Sequence, residues 1–392
     1  MQPVQPVSLY FHIPFCRHRC AYCDFNTYAR MDHLIPAYTS ALENEIVRVT
    51  ENAGARLPVH TIFFGGGTPS LLPLERIGGI LSICHERFNL FEDVEITLEA
   101  NPGTVSHQWL LGVRALGVNR LSFGMQSADP AELRFLEREH GLRDVIDAVS
   151  WSRDAGFENL SLDLIFGLPG QSLPTWEATL AAALSLHPDH LSLYALTVEE
   201  GTPLNRWVER GLVSAPDDDS AADMYDKAIE VLARHGLEQY EISNWALPGR
   251  ECRHNLQYWL DLPYLGFGAG AHGYANGVRT ANVKGIREYI RTVEMGTSGE
   301  FPHSPAVHSK VAINVETEMG EVMMVGLRLT ERGVVDREFH ARFGRHLIDV
   351  YEHPIEKLQR EGLLEWKDGP GSALRLTRNG RLFGNRVFRE FI

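Results

Sequence analysis

Two features typical of membrane proteins and of nucleic-acid-binding proteins are missing from this chain of 392 residues: a long apolar run and an excess of positive charge. No apolar stretch approaches the ~18 residues that a transmembrane helix needs. The opening MQPVQPVSLYFHIPF lacks the basic start and apolar core of a signal peptide. The 37 Lys and Arg against 51 Asp and Glu give a formal net charge of −14, which makes the chain a poor general binder of nucleic acid or anionic membranes. We therefore expect a cytoplasmic protein that binds no nucleic acid.

Cysteine is also scarce, and its distribution is uneven. The chain has five cysteines, and three of them, Cys16, Cys20 and Cys23, fall within eight positions in the spacing C-x3-C-x2-C. Five cysteines in a cytoplasmic protein do not form a disulfide framework, so the cluster predicts metal binding. Cys84 lies in an amphipathic helical pattern and is expected to be a buried apolar residue.

Short β-branched or aromatic runs alternate with segments whose apolar residues recur at helical spacing, which predicts a parallel sheet covered by helices. The six candidate strands are 8–13, 61–65, 95–100, 120–125, 160–167 and 190–196. Polar or glycine-rich residues follow nearly every strand. Ligand-handling residues at many strand ends are typical of a β/α barrel site rather than of a doubly wound sheet. The predicted fold is therefore α/β, a partial (β/α)6 barrel.

Changes in composition divide the chain into three parts. Residues 1–245 form the predicted partial barrel, which ends in a helix with an acidic first turn, and residues 246–300 form a Pro- and Gly-rich connecting segment. Residues 301–310, FPHSPAVHSK, look like a linker. Residues 311–392 predict helices and a hairpin turned at Gly-Pro-Gly, which resembles a winged-helix module. Because the chain is acidic, a packing role is favoured over nucleic-acid binding for this part.

The three clustered cysteines have three competing explanations: chance, structural zinc and an iron–sulfur cluster. Chance is a poor explanation when three of five cysteines occupy eight positions. Zinc needs a fourth protein ligand, such as His12, His18 or a distant residue, and the segment offers no usual second ligand pair. A cubane [4Fe–4S] cluster takes one thiolate per iron, so three cysteines leave one iron for an external ligand. This spacing after the first strand resembles the radical S-adenosylmethionine (SAM) superfamily, in which that iron chelates SAM.

Other residues at the strand ends fit the same ligand. The run GGGTP after the second strand, with Gly66, Gly67 and Thr68, offers backbone that can approach the amino-acid end of SAM closely. A tight strand-to-helix turn explains this run equally well. Glu99 can accept hydrogen bonds from a cationic amino group or a ribose. Tyr22, inside the cysteine loop, can contact an adenine or simply pack.

Six segments spread over nearly the whole chain are similar to those of the oxygen-independent coproporphyrinogen III oxidase group: SLYFHIPFCRHRCAYCDF, FFGGGTPS, LEANP, FGMQS, DLIFGLPGQ and LGFGAGAHGY. Within that group, two features resemble the HemW-type haem chaperones rather than the oxidases. The oxidases have a further cysteine where this chain has Phe25. They also carry an N-terminal extension ahead of the first strand, whereas here that strand begins by residue 8.

A third feature is HNLQYW (254–259), which matches the HNxxYW signature associated with haem binding in HemW-type proteins. His254 offers an imidazole as an axial ligand, Tyr258 an alternative oxygen ligand, and Trp259 a flat apolar surface for a macrocycle. The alternative is that His254 is a core histidine, satisfied by hydrogen bonds among aromatic side chains. The residues alone favour this alternative, whereas the resemblance favours haem binding. Residues 250–291 carry six Lys and Arg against three Asp and Glu, which suits anionic haem propionates.

The resemblance implies a set of site residues at the matching positions of this sequence. The implied metal ligands are Cys16, Cys20 and Cys23 for the cluster and His254 for haem. The positions implied to contact SAM are Tyr10, Gly66, Glu99 and His272. The positions that line a second SAM site in the oxidases are Tyr22, Gly67, Thr68, Gln126, Arg138, Asp163 and Ala195.

The function implied by the resemblance is that of a haem chaperone, which holds haem as cargo and passes it to apo-haemoproteins such as respiratory enzymes. A [4Fe–4S] cluster and SAM are the implied cofactors, and no catalytic residue is implied. Peripheral contact with membrane-bound clients and a homodimer are compatible with this role. Two rival functions stay open: radical decarboxylation of coproporphyrinogen III, and nucleic-acid binding by a metal-stabilised protein.

Overall fold

The computed structural model describes residues 5–297 and 299–392 and is built around a 12-stranded sheet. At its centre, six parallel strands lie side by side in the order in which they occur in the chain. They are β1 Val7–Ile13, β2 Pro58–Gly66, β3 Asn89–Ala100, β4 Arg120–Gln126, β5 Leu160–Phe166 and β6 His190–Ala195. These strands coincide with the six predicted ones, so the predicted α/β partial barrel is confirmed.

Helices connect successive strands and cover the outer face of the sheet. Those between β1 and β6 are α1 Ile35–Glu51, α2 Leu74–Arg87, α3 His107–Ala115, α4 Pro130–Phe135, α5 Leu142–Asp154 and α6 Leu173–Leu184. In α1 the residues that recur every three or four positions are buried, and they form one apolar face: Ile35, Tyr38, Leu42, Ile46 and Val49. No helix in the described part of the chain is long and apolar enough to cross a membrane.

The two faces of the central strands differ in polarity. Leu9 and Phe11 of β1 belong to the apolar core beneath the helices. The alternating positions on the inner face are polar, and the buried ones include Thr61, Glu95 and Arg120. The interior of an ordinary β/α barrel is filled by bulky branched side chains. A polar interior therefore indicates that this space serves binding as well as packing.

Two helices and two strands follow β6: α7 Pro203–Glu209, α8 Asp218–Arg234, β7 Glu238–Glu241 and β8 Asn244–Ala246. β8 pairs antiparallel with β6, and β7 forms that edge of the sheet. The carboxylate of Asp217 caps α8 by accepting a hydrogen bond from the Ser220 N–H at 2.7 Å. The predicted helix with an acidic first turn is thus confirmed.

The segment predicted to be a connection, residues 246–300, contributes strands to the main sheet. Its elements are α9 Arg253–Trp259, β9 Tyr264–Phe267, β10 His272–Ala275, β11 Val278–Asn282 and α10 Ile286–Met295. β9 pairs in parallel with β1, and the following strands are antiparallel. The prediction of a linker over 301–310 is wrong at its end, because β12 Val307–Ala312 pairs with β11 and forms the other edge of the sheet.

The last part of the chain packs around a core of its own. Its helices and strands are α11 Val315–Gly326, β13 Val334–Val335, α12 Asp336–Phe343, α13 Leu347–Arg360, β14 Leu364–Trp366, β15 Ala373–Leu376, α14 Arg378–Leu382 and α15 Gly384–Phe388. The three strands form a separate sheet in the order β13-β15-β14. β14 and β15 form the predicted hairpin across Gly369-Pro370-Gly371. We call this part the C-terminal unit; it has the expected winged-helix-like composition.

Candidate functional site

The carboxyl ends of the central strands surround a cavity of about 490 Å³. Its walls come from the cysteine loop after β1 and from the ends of β2 to β6, which is where a β/α barrel places its ligand site. Twelve of the predicted site residues line it: Cys16, Cys20, Cys23, Tyr22, Gly66, Gly67, Thr68, Glu99, Gln126, Arg138, Asp163 and Ala195. Tyr10, His272 and His254 are not among the lining residues.

Local backbone pairing holds the cysteine loop, residues 16–27, at this cavity. Phe15–Cys16 pairs in parallel with Tyr28–Ala29, which closes the base of the loop. Inside it, the N–H of Cys23 donates a hydrogen bond to the carbonyl of Cys20 at 3.1 Å and forms a turn. The short loop thereby brings three free cysteines to the wall of one cavity.

Each of the three sulfurs has a hydrogen-bonding neighbour. The contacts are Cys16 Sγ with Thr68 Oγ1 at 3.6 Å, Cys20 Sγ with Arg138 Nη1 at 3.7 Å, and Cys23 Sγ with Thr27 Oγ1 at 3.8 Å. Burial raises the pKa of the Cys16 and Cys23 thiols. A bound metal centre would ionise them, because thiolates rather than thiols are the ligands. The neighbouring donors would then stabilise the negative charge on sulfur.

The donor chemistry fits an iron–sulfur cluster. The three thiols stand along the wall of a cavity of about 490 Å³. They offer one thiolate to each of three irons of a cubane, and the cavity leaves space for a ligand on the fourth iron.

The glycine-rich turn after β2 packs against the start of the cysteine loop. The N–H of Gly67 donates to the Ile13 carbonyl at 2.9 Å, and the N–H of Thr68 donates to the Phe15 carbonyl at 2.8 Å. A Cβ on Gly67 would lie within 2.8 Å of both carbonyl oxygens. Gly66 has a φ of +109°, which favours glycine. The glycines are thus needed to position the loop, and their contact with SAM stays a prediction.

Two carboxylates line the cavity wall, Glu99 on β3 and Asp163 on β5, with β4 between their strands. Glu99 Oε2 accepts a hydrogen bond from the N–H of Gly66 at 3.1 Å, and Asp163 Oδ1 accepts one from Ser122 Oγ at 3.0 Å. Burial raises the pKa of both, and the nearby charge of Asp163 helps to raise the pKa of Glu99 to about 7. Two half-buried carboxylates on a cavity wall favour a ligand with cationic or hydroxyl groups, because such groups stabilise the ionised form.

Gln126 lines the cavity and has a strained backbone conformation. It has a φ of +65° at a bulge where the register between β4 and β5 shifts, a conformation that costs about 1–3 kcal/mol outside glycine. Its Oε1 is buried and has no hydrogen-bond partner in the described structure. Beside it, Arg138 donates from Nη2 to the Gly124 carbonyl at 3.1 Å, while its Nε has no partner among the same residues. Two such groups beside a cavity indicate a polar ligand.

The other predicted SAM contacts lie at the edges of this arrangement. Tyr22 belongs to the cysteine loop, and Ala195 ends β6. Tyr10 lies below the cavity, with its hydroxyl 3.0 Å from Nδ1 of His12. His272 begins β10 and is exposed. Contact of these four residues with SAM stays a prediction.

His12 and Asn26 hold the cysteine loop, and the sequence analysis missed both roles, because it considered His12 only as a zinc ligand. His12 Nε2 lies 2.9 Å from the carbonyl of Asn26. Asn26 Nδ2 donates to the carbonyls of Ala269 and Lys284 at 2.9 and 3.0 Å. A Cβ on Gly270 would lie 2.5 Å from that Nδ2. The glycines of GFGAGAH were the one signal of this close approach.

The HNLQYW segment forms α9, which lies on the opposite side of the barrel interior from the cysteine loop. His254 is 1% exposed, its Nδ1 lies 2.8 Å from Thr61 Oγ1, and its Nε2 lies 2.9 Å from the Tyr258 hydroxyl. Burial lowers the pKa of His254 to about 3, so the imidazole is neutral. Helical spacing brings His254 and Tyr258 together as expected. Both ring nitrogens are nevertheless hydrogen-bonded, so iron ligation requires one of these bonds to break.

Glu95, a β3 residue that the sequence analysis missed, caps α9 from inside the barrel. Its carboxylate accepts hydrogen bonds from the N–H groups of Arg253 and His254, both at 3.1 Å. The Cys252 Sγ lies 3.7 Å from the same carboxylate and is fully buried. An anionic side chain at a helix start satisfies backbone donors that would otherwise be unpaired. Cys252 is therefore part of the packing around this cap.

The C-terminal unit covers the end of α9. The guanidinium of Arg328 lies 4.4 Å from the ring centre of Trp259. Arg342 Nη2 pairs with Asp261 Oδ2 at 2.8 Å, immediately beyond the helix. One face of the Trp259 ring, which was predicted to offer a surface to a macrocycle, is thus covered by a cation–π contact.

Two family models match the chain. The model of the radical SAM superfamily matches residues 10–183, and that of the HemN C-terminal domain matches residues 313–383. The solved structure of coproporphyrinogen III oxidase (HemN) from Escherichia coli, described as a radical SAM enzyme, has a TM-score of 0.84 and 25% identity. The match covers 99% of this chain and 90% of that one. The barrel and the C-terminal unit are therefore shared with this structure.

Two relatives match over most of their length. Heme chaperone HemW from Bacillus subtilis (strain 168) is 39% identical over 387 residues, which cover 98% of this chain and 99% of the relative. Radical S-adenosyl methionine domain-containing protein 1, mitochondrial, from Mus musculus is 41% identical over 381 residues, which cover 93% and 84%. The chain belongs to the HemW family within the radical SAM superfamily.

Proposed function

We propose that this chain is a haem chaperone, which binds haem as cargo and transfers it to apo-haemoproteins. The observation that carries the proposal is its 39% identity to a heme chaperone HemW over 98% of the chain. Phe25 adds support, because this 63% exposed side chain stands where the resemblance places a further cysteine in the oxidases. The proposal includes a cytoplasmic location and respiratory apo-haemoproteins as clients.

The cavity at the cysteine loop supports a [4Fe–4S] cluster and SAM as the resident cofactors. Cys16, Cys20 and Cys23 would hold three irons, and the bound cluster would offer its remaining iron to the amino and carboxylate groups of SAM. Around that position, Glu99 would accept hydrogen bonds from SAM, and Arg138 would donate to the Cys20 thiolate. The resemblance also implies a second SAM site around Gln126, which we include in the proposal.

Haem is proposed to bind at α9, with His254 as axial ligand and Tyr258 as the alternative. The positive excess of residues 250–291 supports this placement, because propionates are anions. In the described structure His254 Nε2 is hydrogen-bonded to Tyr258 and the ring is buried. Loading must therefore free this nitrogen and expose the helix. Release then occurs by ligand exchange, when a client offers stronger axial ligands.

Haem transfer under anaerobic conditions tests the proposal. The chain, reconstituted with iron and sulfide and loaded with one equivalent of haem, is mixed with the apo form of a b-type cytochrome. We expect haem to reach the cytochrome faster than it does from serum albumin carrying the same amount. His254→Ala should weaken haem binding and spare the cluster. Absence of haem binding, or transfer no faster than from albumin, would contradict the proposal.

Oxidation of coproporphyrinogen III is the second candidate function, favoured by the TM-score of 0.84 with the HemN structure. The exposed Phe25 in place of the oxidases' cysteine speaks against it. One assay with SAM and a reductant distinguishes the two functions. Formation of protoporphyrinogen IX from coproporphyrinogen III would make the chain an oxidase.

Nucleic-acid binding and oligomeric state are tested separately. The net charge of −14 predicts that DNA will not retain the protein at physiological salt. A homodimer stays a prediction from the resemblance, and sedimentation of the reconstituted protein decides it.

A further inference from the structure

A column of stacked side chains connects α9 to the SAM cavity. The His254 ring stacks on Phe63 with a centroid distance of 4.9 Å, and Phe63 stacks on Tyr10 at 6.3 Å. A Cβ on Gly65 would lie 2.9 Å from Phe63 and 3.1 Å from both Tyr10 and Glu99 Oε2. These three side chains therefore meet at one point. The column leads from the imidazole of α9 to a carboxylate that lines the cavity.

A second, electrostatic connection joins the same two places. The side chain of Arg120 is 2% exposed, and its buried Nε has no hydrogen-bond partner in the described structure. Its guanidinium interacts with the charges of Glu95, which caps α9, and of Asp163, which lines the cavity. Charges interact strongly inside a protein, where the dielectric is low.

We propose that the column of His254, Phe63 and Tyr10 above α9 forms the floor beneath the SAM site, with His254 and Phe63 as positioning residues for Tyr10 and Glu99. Haem on α9 and SAM in the cavity therefore weaken each other's binding. The part that concerns haem rests on the proposed function; the part that concerns SAM does not. Coupling of this kind is reciprocal, because both ligands act on one equilibrium of the helix.

The sign of the coupling follows from the contacts of α9. Iron can reach His254 Nε2 only after the bond to Tyr258 breaks and the buried ring leaves the interior. Phe63 then loses its stacking partner, and the Glu95 carboxylate loses the two N–H groups it accepts from. SAM therefore binds better when the His254 ring is buried in the column, the closed floor. Haem binds only when that ring has left the interior, the open floor. SAM binding therefore promotes release of haem to a client.

SAM binding to haem-free protein tests the floor without any haem chemistry. SAM affinity is measured by anaerobic equilibrium dialysis, and the EPR spectrum of the reduced cluster is recorded with and without SAM. Phe63→Leu and His254→Gln should weaken SAM binding about fivefold or more, the lower end of typical coupling, at unchanged iron content. Phe88→Leu, which alters a buried ring of the outer core that is not part of the column, should bind SAM like the wild type.

Wild-type SAM affinity and an unchanged EPR response in a cluster-loaded Phe63→Leu protein would overturn the floor. If a variant fails to load the cluster, the wild-type chain still tests the coupling. Its SAM affinity is then measured with and without saturating haem. We expect haem to weaken SAM binding about fivefold or more and SAM to weaken haem binding by the same factor. Haem that is bound and transferred without changing SAM affinity overturns the coupling and leaves the chaperone function intact. If haem does not bind but Phe63→Leu still lowers SAM affinity, the proposed function and the coupling are overturned, and the floor stands.

Discussion

Glu99 is the residue whose protonation bears most directly on ligand binding. Its pKa is raised to about 7 by burial and by Asp163, so the carboxyl group is about half protonated near neutral pH. A ligand that donates hydrogen bonds to it prefers the ionised form, which is lost as pH falls through the raised pKa. SAM affinity should therefore increase about tenfold from pH 6 to pH 8, the change expected for one group titrating near 7.

The matched variants separate Glu99 from the other acids. Glu99→Gln should bind SAM more weakly and with a flatter pH profile, since an amide does not titrate in this range. Glu92→Gln changes an exposed residue of the same strand and should keep the wild-type profile. A wild-type affinity independent of pH would show that Glu99 does not contact SAM.

Cys20 tests the cluster at the level of a single sulfur. Cys20→Ala removes a ligand whose Sγ lies at the cavity, so the visible absorption of the reconstituted cluster should be lost while far-ultraviolet circular dichroism stays unchanged. Cys84→Ala is the control, because this thiol is buried in the outer core on α2. Equal absorption in both variants would remove Cys20 from the ligand set.

Glu95 controls α9 at the scale of one element. Glu95→Gln keeps the shape and removes the charge that accepts hydrogen bonds from Arg253 and His254 at 3.1 Å. Charge-assisted bonds at a helix start are worth about 1–2 kcal/mol. Amide hydrogens of α9 should therefore exchange about five- to thirtyfold faster, one decade for each 1.4 kcal/mol.

A second helix cap serves as the control for that experiment. Ser172 accepts a hydrogen bond from the Thr175 N–H at the start of α6, far from α9 in the chain. Ser172→Ala should lower stability by about 1 kcal/mol and leave exchange in α9 as in the wild type. Protection of α9 that is unchanged in Glu95→Gln would show that the cap does not hold the helix.

Elements with a strong local pattern were predictable from the sequence. The six central strands are short β-branched or aromatic runs, and the acidic first turn marked α8. Non-local pairing was not predictable: residues 307–310 look like a linker but belong to an edge strand that exists because β11 lies beside it. The position of α9 likewise depends on Glu95, which lies more than 150 residues earlier in the chain.

The site was predictable to the extent that its residues follow strands. Twelve predicted residues meet at one cavity because parallel strands end on the same side of a barrel. The residues that support them, His12 and Asn26, carry no local signal, since each acts on a segment elsewhere in the chain. His254 was predicted as a ligand from a motif, with a hydrogen-bonded core histidine as the alternative. The structure shows both of its hydrogen bonds, and the sequence did not indicate Thr61, which lies 193 residues away, as a partner.

The contact between the barrel and the C-terminal unit concerns the whole molecule. Asp261 is 8% exposed at its side chain, and its ion pair with Arg342 at 2.8 Å offsets part of the burial that raises its pKa to about 6. Arg342→Gln leaves this carboxylate without its charged partner. We expect a loss of about 1–3 kcal/mol in the free energy of unfolding, measured by urea denaturation.

An exposed ion pair of the same unit is the control. Arg332 and Glu338 are 48% and 52% exposed at their side chains, and such pairs contribute little. Arg332→Gln should change the free energy of unfolding by less than about 0.5 kcal/mol. Arg342 also pairs with Glu318, so equal losses in the two arginine variants would show that its pairs together stabilise the molecule no more than an exposed pair does.

The central claim is that three thiols at the end of a partial barrel hold a cluster with one free iron corner. Iron, zinc and acid-labile sulfide measured on protein purified without oxygen test it most directly. We expect about four irons and about four sulfides per chain, without zinc. Stoichiometric zinc without sulfide would contradict it.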